Sequence, residues 1–357
     1  MAQTIDDVQK ATRRYSDWSS TKGLRTDILP WRLWDKGKRL HWDPADIDFT
    51  QDRKDWEALP IEHQVIVAGL ARGFMVGEEG VTLDIMPLCF AMADEGRAEE
   101  TMFLTQFCYE EAKHVDFFNR WHQAVGADPL ELEEIARARM IERGVTPPDR
   151  ERENGLFESV LPRVMRRLLT DRSPEAFLDA SVTYNQFIEG CLAIAGYRMW
   201  GQMFSNFGVL PGLQKGIGFI QDDERRHIAY GTYLCRRIIS EHPELAEFAA
   251  DRMYTLRDGY IGSFGAEMSK NGDNGRRRTA DEIIKLMREE AEKERQAAEA
   301  NGGGYGGDGQ FTVFGEVMLR QVDRRVELLR NAAKVDHKAA EAGEGAEELE
   351  LELEKVS

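Results

Sequence analysis

Phe107-Cys-Tyr-Glu-Glu111-Ala-Lys-His114 and Gln221-Asp-Asp-Glu224-Arg-Arg-His227 share one spacing, a Glu followed three residues later by a His. On a helix, residues three apart lie on one face, so each carboxylate converges with its imidazole. A Glu-rich chain with seven histidines supplies about one such pair by chance. Here there are two, and each lies in an apolar helical stripe. The first stripe is Leu104, Phe107, Cys108, Glu111, His114, Val115 and Phe118; the second is Ile217, Ile220, Glu224, His227, Ile228 and Gly231. Lys113, Asp116, Arg120, Arg225, Arg226, Arg236 and Arg237 lie off the stripes. A carboxylate buried alone is costly unless it is paired or binds a metal.

Working outward, the helical period continues on both sides. A long helix is expected from Pro60 to about Ala93, with Gly69, Gly73 and Gly77 on one stripe that would admit a close helix neighbour. Glu78 and Glu79 follow, and periodicity does not choose between them. The first motif lies on a helix over about 97–124, and charged peripheral helices are expected over 130–143 and 150–170. Ser173-Pro174 opens a helix to about Phe207, in which Glu189 and Arg198 are the only charges after Ala180. They are out of phase, so Glu189 needs a partner from another element. The second motif lies on a helix over about 213–240, and another follows from Pro243 to about Lys270. No strand-like alternation is convincing, and the fold class is all-α.

The expected organisation is an N-terminal arm with short helices over 1–59, a helical domain carrying both Glu-x-x-His motifs over 60–270, C-terminal helices over 271–340 and an acidic tail over 341–357. Trp18, Trp31, Trp34, Trp42 and Trp56 fall in the arm, most of them as core packing. Residues 276–299 read as a charged helix and 301–309 as a Gly-rich flexible linker. The tail, with seven Glu and one Lys, is expected to be disordered.

The hydrophobic fraction of 42% supports a substantial core, but no apolar run approaches the ~20 residues of a membrane span. The N-terminus lacks a signal-peptide core, so a cytoplasmic protein is expected. The net charge of −17 argues against nucleic acid and anionic membranes as partners. Cys89, Cys108, Cys191 and Cys235 are isolated and read as small core residues rather than zinc ligands or disulfides.

The inventory is therefore two glutamates on separate helices and a Glu-x-x-His on each of two others. That is the di-iron or di-manganese carboxylate pattern of ferritin-like four-helix bundles. Iron and manganese suit carboxylate oxygens, and imidazole adds a neutral ligand. Four carboxylates, about −4, balance two divalent ions, about +4. Oxidation of both ions leaves about +2, which hydroxide or an external carboxylate could neutralise. The plainer alternative, two buried Glu–His hydrogen-bonded pairs, requires four helices to bury acids independently.

Residues from about 60 to 240 resemble the ribonucleotide reductase small-subunit (R2) superfamily and, more closely, the R2-like ligand-binding oxidases. The motifs that carry this are Glu78-Glu-Gly-Val81-Thr-Leu-Asp, Glu111-Ala-Lys-His114, Tyr184-Asn-Gln-Phe-Ile-Glu189-Gly and Asp223-Glu224-Arg-Arg-His227-Ile-Ala-Tyr-Gly. The resemblance implies a ferritin-like bundle with wrapping helices. It selects Glu78 over Glu79. It implies that Glu78, Glu111 and His114 hold manganese, that Glu189, Glu224 and His227 hold iron, and that Glu111 bridges. It also implies O2 as co-substrate, a long-chain fatty-acid ligand and a homodimer. Asp223 resembles the carboxylate that orients the imidazole of His114. A Trp of the arm is expected to complete an electron path.

Two features separate oxidase from reductase subunit. Common reductase subunits carry a radical Tyr four residues after the first metal His, where this chain has Phe118. They also need an aromatic relay near the C-terminus, and no Phe, Tyr or Trp follows Phe314. The oxidases join a Val three residues after the first Glu to a Tyr five residues before the third, through an ether. Val81 and Tyr184 stand at those spacings. On a regular helix Tyr184 lies about 140° from Glu189, and a π-bulge between them would bring it nearer. The expected function is an O2-activating Mn/Fe oxidase that forms this ether and oxidises C–H bonds of a lipid-like substrate. The alternatives are a reductase radical-generating subunit, or a non-catalytic ferritin-like metal-binding protein.

Overall fold

The computed structural model describes residues 18–142, 155–268 and 309–346, with isolated positions at 147, 282, 284, 285 and 289. The first 17 residues, most of the helix expected over 276–299, the linker over 301–308 and the tail over 347–357 lie outside the described residues. All regular structure among those described is helical, as the period of the sequence requires. In chain order the helices are α1 (Ser19–Lys22), α2 (Leu29–Arg39), α3 (Thr50–Ala58), α4 (Ile61–Asp84), α5 (Met86–Asp94), α6 (Ala98–Val125), α7 (Pro129–Glu142) and α8 (Leu161–Arg167). They continue with α9 (Pro174–Ser181), a π-helical segment (Val182–Ala193), α10 (Ile194–Phe207), α11 (Pro211–Glu241), α12 (Ala246–Met268), α13 (Gly309–Ala332) and α14 (His337–Ala342).

The bundle that carries both Glu-x-x-His motifs is made of two helix pairs. α4 packs along α6, and the continuous α9–π–α10 rod packs along α11. Local chemistry sets the ends. Ser173 accepts from the Ala176 amide and Pro174 follows it, which starts α9. Gly126, at φ +71°, ends α6. α11 is capped from the arm. Asp52 of α3 is buried and accepts from the Gly212 and Leu213 amides at 2.7 and 2.8 Å, as well as from Trp121 Nε1 at 3.2 Å. A carboxylate there meets the positive end of the α11 dipole.

Three expectations are corrected. The first long helix stops at Asp84 rather than near Ala93. Pro87 has no amide proton and its ring obstructs the preceding turn, so the chain restarts as α5. The glycine stripe does not receive a helix. A methyl group on Gly69 or Gly73 would touch nothing within 4 Å, and one on Gly77 would meet only Phe157. The buried face of α4 is instead Val67, Ala68, Ala71, Glu78 and Val81. Nothing among the described residues explains Gly69 and Gly73. Finally, residues 341–346 are not loose. Glu341 pairs with Arg25 and Arg97 at 2.9 and 3.1 Å, the Glu344 carbonyl accepts from Arg236, and Ala346 is buried.

The core falls into two apolar clusters. One contains Val81, Phe107, Tyr184, Ile188 and Ile228; the other contains Ala71, Phe118, Tyr197 and Ile220. On each of the four bundle helices the polar residues singled out by sequence lie between a member of one cluster and a member of the other. The helices hold a polar layer across the middle of the core. No described helix is long and apolar enough to cross a membrane.

Candidate metal centre

Glu78 from α4, Glu111 and His114 from α6, Glu189 from the π segment, and Glu224 and His227 from α11 meet in this layer, all buried. Glu79, the neighbour that periodicity left open, is exposed. The atoms form two overlapping groups. In one, Glu78, Glu111, His114 and Glu224 each offer an atom within 4.8 Å of the others; in the second, Glu111, Glu189, Glu224 and His227 do so. Both Glu111 and Glu224 therefore lie within reach of both groups, where the sequence reading gave a shared position to Glu111 alone.

The spacing suits ions. His114 Nδ1 is 3.2, 3.6 and 3.9 Å from oxygens of Glu78, Glu224 and Glu111. His227 Nδ1 is 2.9, 3.5 and 4.0 Å from oxygens of Glu111, Glu224 and Glu189. Donors that each sit about 2.1 Å from a common ion are separated by about 3–4 Å. Glu189 Oε1 and His227 Nδ1 are buried and make no hydrogen bond. Buried polar atoms are rarely left unsatisfied, and a cation between these two would satisfy both. Carboxylate and imidazole donors in this ratio fit iron or manganese.

Both imidazoles turn Nδ1 inward and Nε2 outward to a carboxylate. His114 Nε2 lies 3.1 Å from Asp223 Oδ2, as the sequence reading expected of Asp223. His227 Nε2 lies 2.8 Å from Glu110 Oε2, a partner that reading missed. Each acid immediately precedes the Glu of one motif and serves the His of the other. The signal was present, since Glu110-Glu111 and Asp223-Glu224 are the same acidic doublet at the same distance from a His. Arg226 joins the two acids, at 2.7 Å from Glu110 and 2.6 Å from Asp223. Lys113 Nζ is 2.7 Å from Asp223. Arg226 and Lys113 are buried; lying off the apolar stripes placed them against neighbouring helices instead of solvent. Trp42 is the arm tryptophan at the centre. Its Nε1 donates to Asp223 at 2.8 Å and its ring stacks 6.2 Å from His114. Of the others, Trp56 is core and Trp18 is exposed.

The charges explain the protonation of the metal-free cluster. Burial, then Glu224 and Glu78, push Glu111 well above the usual carboxylate range. Burial and Glu224 do the same to Glu189. Burial opposes charge on His114 and His227, but neighbouring carboxylates outweigh it and hold each at about 10. Glu78 is lowered, because His114 outweighs its burial. Metal binding therefore competes with protonation of these groups.

The third rod resolves the angle between Tyr184 and Glu189. Val182–Ala193 is π-helical throughout. Its i→i+5 hydrogen bonding sets residues five apart one above the other, so Tyr184 and Glu189 share a face. Tyr184 Oη donates to Glu111 Oε1 at 3.3 Å, and Asn185 Nδ2 donates to Glu189 Oε2 at 3.0 Å. Val81 is buried nearly one turn beyond Glu78. Phe118 packs against Phe117 and Phe74, with ring centroids 5.1 and 6.1 Å away. Beside the layer, a cavity of about 360 Å³ is lined by Tyr197, Trp200, Phe204, Gln214, Ile217 and Gln221. The buried Tyr197 hydroxyl has no hydrogen-bond partner.

The comparisons with known proteins agree with this geometry. A family model described as ribonucleotide reductase, small chain, matches residues 29–258. The chain is similar to the R2-like ligand-binding oxidase from Sulfolobus acidocaldarius, at 29% identity over 92% of this chain and 98% of that one, with a TM-score of 0.68. It is also similar to a valine-to-isoleucine variant of an R2-like ligand-binding oxidase with an anaerobically reconstituted Mn/Fe cofactor. There the identity is 31% over 88% of this chain and 99% of that one, with a TM-score of 0.67. A tyrosine-to-phenylalanine variant with an aerobically reconstituted Mn/Fe cofactor gives 31%, 88%, 98% and 0.66 for the same measures.

Proposed function

The chain belongs to the ribonucleotide reductase small-chain family, and within it to the R2-like ligand-binding oxidases, and from that premise we propose an O2-dependent oxidase with one manganese and one iron ion. The observation that carries this reading is the pair of overlapping donor groups sharing Glu111 and Glu224. Glu78, Glu111 and His114 would hold manganese, and Glu189, Glu224 and His227 would hold iron, with Glu111 and Glu224 each within reach of both groups. When bound, the two ions supply the electrons and Lewis acidity for reducing O2.

The chain's own residues orient and protect that chemistry. Asp223 and Glu110 fix the tautomers of His114 and His227 by accepting from Nε2, which leaves each Nδ1 free to ligate. The apolar clusters on either side exclude bulk water. Tyr184 and Val81 form the ether. Tyr184 loses its phenolic hydrogen and Val81 its Cβ hydrogen as the O–Cβ bond closes. The two protons and two electrons go to the oxidant derived from O2. In the metal-free cluster Tyr184 Oη donates to Glu111 Oε1, which holds the phenol toward the centre.

The cavity at Tyr197 and Trp200 receives a long-chain fatty acid or similar ligand. Its rings suit an alkyl chain, and the carboxylate end supplies the extra negative charge that two oxidised ions require. Tyr197 marks the junction, since burial and then Glu224 and Glu78 push its hydroxyl pKa well up while its ring lines the cavity. The physiological reaction is oxidation of a C–H bond in a lipid-like substrate. The same reading carries a cytoplasmic homodimer.

The test is to load the metal-free protein with Mn(II) and Fe(II), admit O2 and weigh tryptic peptides. The expected product is a joined pair containing Val81 and Tyr184, two hydrogens lighter than the sum. Tyr184→Phe is expected to abolish it with both metals still bound. Unjoined peptides after verified loading of the unmodified chain would sink the ether.

A further inference from the structure

A buried charge on a helix outside the four that hold the centre bonds directly to the π segment. Arg325 of α13 is fully buried. Its Nε donates to the Gly190 carbonyl at 2.9 Å, and its NH1 donates to Gln186 Oε1, also at 2.9 Å. Both acceptors belong to the π segment, one on each side of Glu189 in sequence. Gln186 is tied onward to α11 through Nε2 and Thr232 Oγ1 at 3.3 Å. α13 packs on the π segment, α10, α11 and α12.

A π segment needs such support. It is rare because its ladder is less favourable than that of the α-helix, and it persists where surrounding structure holds it. Where i→i+5 bonding returns to i→i+4, one carbonyl is passed over and must be satisfied from elsewhere. Gly190 lies in the last turn before that return, and its carbonyl receives the guanidinium. Only glycine permits this approach, since a Cβ there would sit 2.2 Å from Arg325 Cζ and Nε. The planar fork of arginine reaches a backbone and a side-chain acceptor together, which a lysine ammonium does less well.

We propose that Arg325 is a positioning residue that clamps the π register of Val182–Ala193 and thereby keeps Tyr184 and Glu189 on one face toward Glu111. Without the clamp the segment relaxes toward α pitch and Tyr184 rotates away. The register is independent of the metals; its consequence for the ether rests on the oxidase reading.

The test uses full-length protein bearing Arg325→Met, Arg325→Lys or Gly190→Ala. In metal-free protein, amide hydrogen exchange over 182–193 is expected to rise by about tenfold in Arg325→Met, the scale of one lost charge-assisted hydrogen bond. Peptides from α4 and α6 are expected to keep their protection, and Arg325→Lys to recover part of it. Gly190→Ala improves intrinsic helix propensity, so a purely local view predicts a tighter segment; the clamp predicts faster exchange, because the methyl displaces the guanidinium. It remains decisive if Arg325→Met does not fold. After metal loading and O2, the clamp predicts near-normal metal content with the Val81–Tyr184 peptide reduced several-fold. Unchanged exchange over 182–193, or a uniform rise across all helices, would overturn the proposal. Failure of the unmodified chain to form the ether would sink the oxidase reading while leaving the exchange result to decide the clamp.

Discussion

Glu110 and Asp223 show how much of this centre is carried by residues that never touch the place of the ions. Each precedes a glutamate of one motif and orients the histidine of the other, and Arg226 ties them together. The crossing follows from antiparallel neighbours, in which the residue before one Glu faces the partner helix's His. Glu110→Gln removes the charge behind His227 and leaves Asp223 behind His114. Affinity at the group containing His227 is expected to fall by about 10–100-fold, with the group containing His114 much less affected. Competition with a chelator, followed ion by ion, would show it; equal losses at both groups would refute the assignment. Five of the six central residues were legible in the sequence, because polar residues in apolar stripes are conspicuous; Glu78 was separated from Glu79 only by the family resemblance. Glu110 was not read, because it sits beside Glu111 and lies off the stripe.

At the scale of the element, the decisive feature is the rod from Pro174 to Phe207, which is α, then π, then α. Its existence and its start at Ser173-Pro174 follow from local sequence. Its π register does not, since it depends on contacts with α13, more than a hundred residues later. The same contrast holds for α11. Its helical period is evident, but its first turn is secured by Asp52, 160 residues away from Gly212. Asp52→Ala leaves two amides and the Trp121 indole without their acceptor in a buried place. The expected cost is about 2–4 kcal/mol, seen as a lower midpoint in thermal unfolding followed by circular dichroism. A change within about 0.5 kcal/mol would mean that other groups cap α11.

Across the whole molecule, Glu341 draws distant segments together. It pairs with Arg25 of the arm and Arg97 before α6, and lies 4.0 Å from Arg237 of α11. Burial raises its pKa, but Arg97 and then Arg25 outweigh that and hold it below its ordinary value of 4.5. A carboxylate depressed on folding contributes stability above its unfolded pKa and loses it as pH falls through the lower, folded pKa. The closing segment is therefore expected to loosen below about pH 4.5. Glu341→Gln is expected to loosen it already at neutral pH. Limited proteolysis of residues 333–346 would report both; equal protection of variant and parent at pH 7 would contradict it. The acidic composition of 341–357 concealed this, because seventeen residues averaged together read as a charged tail. By itself the sequence determined the all-α class, the rods that carry the centre and five of the six residues that meet there. Those depend on periodicity and on the cost of burying charge, which act within a few helical turns. Tertiary structure alone decided how far the π register runs, the pairing of Glu110 with His227, the cap on α11 and the docking of Glu341. Each is a contact between groups far apart in the chain, and helical period carries no information about which distant partner arrives.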